Sequence, residues 1–142
     1  MANKGANHRL EAALTLPNDP EAFRRAEAQI LEAIRSCGYP DASTFAVRLA
    51  LEEAVVNGFK HGNRGREGST IQLRWTVGPK RVWIEVEDQG NGFEPERVPD
   101  PRAPENLERP SGRGIMLMRA YMSSVEYNEA GNKVTMVYER PS

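Results

Sequence analysis

Two runs of strict alternation, Ile71-x-Leu73-x-Trp75-x-Val77 and Val82-x-Ile84-x-Val86, flank Gly78-Pro79-Lys80. Period two puts the named residues of each run on one side of an extended chain, and the turn between them predicts a hairpin with one covered face. The same period carries Asp88 onto that covered face. A carboxylate there is costly unless a donor satisfies it. An exocyclic amine such as that of adenine is one suitable donor; a turn in which Asp88 bonds its own loop is another. Gly90 and Gly92 allow the backbone to turn tightly and to approach a ligand, and Phe93 is placed to wall an apolar pocket.

The elements around this hairpin follow from the same kind of pattern. Leu10, Ala12, Leu14 and Leu16 alternate and predict a strand. Asp19 and Pro20 suit a helix start, and Phe23, Ala26, Ile30, Ile34 and Cys37 recur at steps of three and four, so a helix is expected over about 20–37, stopped by Gly38. Asp41 or Ser43 is the expected cap of a second helix that runs to about His61. Residues 88–114 are rich in proline and lack periodicity, as a functional or mobile loop would. Ile115, Leu117, Met118 and Tyr121 predict a short third helix, and two more strands follow, one from Val125 and Tyr127 and one over Val134–Tyr138. The order β-α-α-β-β-loop-α-β-β points to an α+β fold with helices on one face of a mostly antiparallel sheet.

The end of the second helix carries polar groups that a core helix does not need. Glu53 and Asn57 are four apart and Lys60 three further on, so all three share one helical face beside the apolar stripe. An amide oxygen and a carboxylate-held water suit a hard cation such as Mg²⁺, which takes few protein ligands. Glu53 also suits a general base, and Lys60 is a point charge for phosphate. A solvated helix edge with Glu53–Lys60 or Glu52–Arg48 pairs explains the same residues. A third stretch, Ser111-Gly112-Arg113-Gly114-Ile115, precedes a helix, where free N–H groups and the dipole favour phosphate.

Composition narrows the classes. The chain has 142 residues, enough for one domain, with 39% apolar and 27% charged residues, a formal net charge of −1 and a single cysteine, Cys37. There is no bulk charge to draw nucleic acid or an anionic membrane, no run near the roughly 20 apolar residues of a membrane span, and no cysteine framework. A cytoplasmic protein is expected. The P-loop, the dinucleotide fingerprint and the protein-kinase signature are all missing.

Taken in order, Glu53-x-x-x-Asn57, Asp88-x-Gly90-x-Gly92-Phe93 and Gly112-x-Gly114 resemble the N box and two glycine boxes of the GHKL ATPase superfamily, which includes DNA gyrase, histidine kinases and MutL. The segments Leu51–Asn63 and Gly112–Met122 resemble one branch of it, the RsbW-like anti-sigma factor serine/threonine kinases. The resemblance covers about residues 8–139, with 1–7 as a flexible tail. It implies a Bergerat two-layer α/β sandwich, with three helices on one face and a lid over ATP. Glu53 would be the general base, Asn57 the Mg²⁺ ligand and Asp88 the partner of the adenine amine. Gly90, Gly92, Phe93, Ser111, Gly112, Arg113, Gly114 and Ile115 would surround the nucleotide with Lys60. Thr135 would be the family's strand threonine near adenine, although Lys133 and Val134 stand where the family usually has glycine. The implied activity is phosphorylation of a serine on a STAS-fold anti-anti-sigma protein, together with sequestration of an RNA polymerase sigma factor, by a homodimer. A nucleotide-binding module with little phosphotransfer is the alternative. A histidine-kinase ATP domain fits less well, because no helical hairpin with a phosphoacceptor histidine precedes Glu53.

Overall fold

In the computed structural model, which describes residues 10–90, 116 and 118–141, five strands form one antiparallel sheet. They are β1 (Leu10–Pro17), β2 (Thr70–Val77), β3 (Arg81–Asp88), β4 (Ser124–Tyr127) and β5 (Lys133–Glu139), in the order β1-β2-β3-β5-β4. Helices α1 (Pro20–Ser36) and α2 (Asp41–Asn57) lie between β1 and β2 in the chain. Residues 118–121 are helical as well, and Met118 and Met122 enter the same core as the two long helices.

The alternation of β2 and β3 is realised residue by residue. Ile71, Leu73, Trp75 and Val77 are buried opposite Val82, Ile84 and Val86, beneath Ile30, Ile34, Val47 and Leu51 of the helices. Burying each such side chain contributes about 1.5–3 kcal/mol before chain entropy is counted, so this face sets the layer order. The outward face carries ion pairs beside Trp83 and Val137. Arg74 meets Glu85 at 2.7 Å and Glu87 at 3.4 Å, and Lys133 lies 3.6 Å from Glu85.

Helix α1 begins as its sequence predicts, with Asp19 Oδ2 accepting from the Ala22 N–H at 3.2 Å and Pro20 in the first turn. Its C-terminal end is tied to distant chain by Arg140. One guanidinium nitrogen donates to the Cys37 carbonyl at 2.9 Å and the other to that of Gly38 at 2.7 Å, and the group sits over the Tyr39 ring. Helix α2 departs from expectation. Neither Asp41 nor Ser43 caps it: Pro40 holds the cap position without a side-chain bond, and Ser43 is buried, its hydroxyl 2.8 Å from that of Tyr138. Tertiary packing against β5 has claimed the hydroxyl that local sequence offers to the helix start.

The two helices also face each other through carboxyl groups. Glu27 on α1 lies near Glu52 on α2. Burial first, then hydrogen bonding with Glu52 and its charge, push the Glu27 carboxyl up to about 7 from 4.5, with Arg48 opposing. A folded-state value above the unfolded one adds stability that is complete below the unfolded value and is lost as pH rises through the folded one. Glu27→Gln, which can still donate to Glu52, is therefore expected to leave stability unchanged near pH 4. Near pH 8 it should raise stability by about 1 kcal/mol, the full linkage value being reduced by solvent screening at this half-exposed group. Urea denaturation of both proteins across that range checks it, and equal pH profiles would refute a shared proton.

Candidate functional site

The apolar stripe of α2 seats its C-terminal end on β2 and β3, and two glycines make that contact close. A Cβ on Gly58 would fall 2.6 Å from Ile71 Cδ1, and one on Gly62 would overlap the Asp88 carboxylate. Between them the helix widens into a π-turn, Gly58–Gly62, a distortion that often accompanies function. Helical geometry therefore runs on to Gly62, close to the boundary expected at His61.

Asn57 is buried, and among the described residues neither its Oδ1 nor its Nδ2 meets a partner. A buried carboxamide ordinarily pairs both ends, so these atoms point to a ligand. With Gly58, Asp88, Tyr127 and Val134 they line one small cavity. Asp88 faces inward, as its strand period requires, and is 8% exposed. Burial pushes its carboxyl up from the usual range, the Gly90 N–H, 2.8 Å from Oδ1, pulls it down, Glu87 raises it and Arg66 lowers it. A Cβ on Gly90 would strike the Gly62 carbonyl. Asp88 thus sits in a cradle that side chains at positions 62 or 90 would fill.

Glu53, one turn before Asn57, is half-buried. Burial and then the Glu52 charge raise its carboxyl, and Lys60 opposes them. Lys60 itself is exposed. It does not line the Asn57 cavity but a separate groove of about 340 Å³ with Phe23, Val55, Val56 and Phe59. Thr135 is not among the residues that line the Asn57 cavity. Its register partners are Glu85 and Glu126 on the outward face, while Val134 and Met136 are buried. The β5 residues that line the cavity are Lys133 and Val134, at the start of the strand. Gly92, Phe93, Ser111, Gly112, Arg113, Gly114 and Ile115 lie outside the described residues.

Two residues of this region carry no role in the sequence reading. Tyr127 lines the cavity from β4. Burial pushes its hydroxyl up to about 12, Asp88 adds to this and Arg119 opposes it, so the phenol is neutral at physiological pH. Its strand alternation with Val125 was the available signal. Asn63 is fully buried beside Gly62 in a loop without periodicity. Among the described residues no three His, Cys, Asp or Glu side chains gather as a metal cluster.

The histidine kinase-like ATPase domain profile matches residues 16–138, and the chain belongs to that family. Within it, the chain is similar to RsbW serine-protein kinases and anti-sigma F factors. It is 23% identical to the serine-protein kinase RsbW of Oceanobacillus iheyensis over 121 residues, 81% of this chain and 77% of that one. It is 31% identical to the anti-sigma F factor of Clostridium beijerinckii over 98 residues, 66% of this chain and 68% of that one. A crystal structure of the RsbU and RsbW domains of a Mycobacterium tuberculosis protein shares the fold, with a TM-score of 0.63 at 18% identity over 94% of this chain and 33% of the other.

Proposed function

We propose that the chain is an ATP-dependent protein serine kinase that phosphorylates a STAS-fold anti-anti-sigma partner and, on a competing surface, sequesters a sigma factor. The observation that carries the nucleotide site is the buried, unpartnered carboxamide of Asn57 in one cavity with the inward carboxylate of Asp88. Asp88 accepts from the adenine 6-amine, which supplies the donor that its burial calls for. Asn57 Oδ1, a neutral oxygen, fits a hard cation that keeps most of its waters, so Asn57 would hold Mg²⁺. When bound, that ion neutralises phosphate charge. Glu53, whose carboxyl burial holds above the usual glutamate range, takes the proton of the partner's serine.

Gly92, Phe93 and residues 111–115 would complete the nucleotide's surroundings, as the resemblance implies. The kinship with RsbW kinases and anti-sigma F factors supports the choice of partners. A homodimer working in the cytoplasm is part of the same proposal. Among the described residues no helix is long and apolar enough to cross a membrane. The test is incubation of the chain with Mg²⁺, ATP and a STAS-fold protein encoded beside it, read by mass spectrometry. A phosphoserine on the STAS protein is expected. A chain that binds ATP and the STAS protein yet transfers nothing would be a binding module instead.

A further inference from the structure

We propose that Asn63 is a positioning residue that sets the nucleobase end of this site by replacing one rung of the β2–β3 ladder. The inference rests on the reading of Asp88 as the acceptor of the adenine amine.

The register of the hairpin pairs Ile71 with Asp88, so the next rung would join Thr70 and Gln89 through their backbones. Side chains take that rung over. Asn63 Nδ2 donates to the Thr70 carbonyl at 3.0 Å, and Asn63 Oδ1 accepts from the Gln89 N–H at 2.7 Å. Gln89 Oε1 in turn accepts from the Thr70 N–H at 2.8 Å. An amide thereby stands between the two strand ends and parts them directly after Asp88. That parting lets the chain turn back so that the Gly90 N–H reaches Asp88 Oδ1.

The same bonds hold residues 62 and 63 down onto the turn. Gly62 lies against the Asp88 carboxylate and its carbonyl against Gly90, contacts close enough that neither position accommodates a Cβ. Asn63 is 0% exposed, and both ends of its carboxamide are satisfied, as burial of a polar group demands. Only a side chain of this length with one donor and one acceptor spans both partners: Asp lacks the donor for the Thr70 carbonyl and Ser lacks the reach. Asn63 touches no part of the cavity, so its effect on a nucleotide passes through the placement of Asp88.

The test compares ATP with purine riboside triphosphate, which lacks the 6-amine, by calorimetric titration of the folded protein. The wild type is expected to prefer ATP. Asn63→Ala is expected to lose about tenfold in ATP affinity with little change for the amine-free analogue, so the preference collapses. A residue that only stabilises the fold would lower the melting temperature and leave the preference intact. A wild type that prefers ATP with an Asn63→Ala protein that prefers it equally overturns the positioning role alone. A wild type without preference overturns the adenine reading and this inference with it. Should Asn63→Ala fail to fold, Gln89→Ala removes the exposed half of the same rung. It is expected to reduce the preference by about two- to fivefold, and full retention would refute the proposal.

Discussion

Glu53→Gln is expected to bind ATP as the wild type does and to transfer its phosphoryl group about 10²–10⁴ times more slowly, the usual contribution of a positioned general base. The amide keeps the size of the carboxylate and its place one turn before Asn57, so the pocket is preserved. It cannot take a proton. The pH dependence of the wild type follows from the same group. Burial and the neighbouring Glu52 hold the Glu53 carboxyl above the ordinary glutamate range against the pull of Lys60. A base acts when deprotonated, so the acid limb of the transfer rate should lie above that of a free glutamate and be absent from the residual activity of the variant. Single-turnover transfer to the STAS partner, with nucleotide titration alongside, measures both. Transfer at the wild-type rate by the variant would remove Glu53 from the role of base.

Asn57→Ala should produce an opposite pair of effects. Mg²⁺-dependent ATP binding is expected to fall by about tenfold or more, since the oxygen assigned to the ion is gone. The free protein, however, should be as stable as the wild type or more so, by up to about 1 kcal/mol. Truncating a buried, hydrogen-bonded asparagine ordinarily costs about 1–3 kcal/mol, because it strands its partners. Here Oδ1 and Nδ2 have no partners among the described residues to strand, and the substitution removes two desolvated polar atoms from the cavity wall. Calorimetry with and without Mg²⁺ and urea unfolding of the free chain test the two halves. A loss of about 2 kcal/mol in unfolding free energy would mark Asn57 as a structural residue.

The hairpin and its carboxylate were legible because they depend on local repetition. Ile71 to Val77 and Val82 to Val86 alternate without a break, so the inward direction of Asp88 follows from counting. The helix spans followed from their 3.6-residue stripe and, for α1, from Asp19 and Pro20 at its start. On β5, Val134 and Met136 alternate as apolar residues, and the same counting turns Thr135 outward. The partner of Ser43 has no local signal, since Tyr138 stands 95 positions away.

Sequence alone therefore determined the elements, their order and the face each strand presents, since these depend on periods of two and 3.6 residues within a dozen positions. It also brought Glu53, Asn57 and Asp88 into view as residue types that suit a nucleotide. Tertiary structure decided which of the candidates meet. It set Asn57 and Asp88 in one cavity with Tyr127 and Val134, left Lys60 on another groove, and buried Asn63 between two strand ends. Each of these outcomes depends on bonds and contacts between residues far apart in the chain, such as Asn63 with Gln89, and a pairing of that kind leaves no periodic trace in either partner's own neighbourhood.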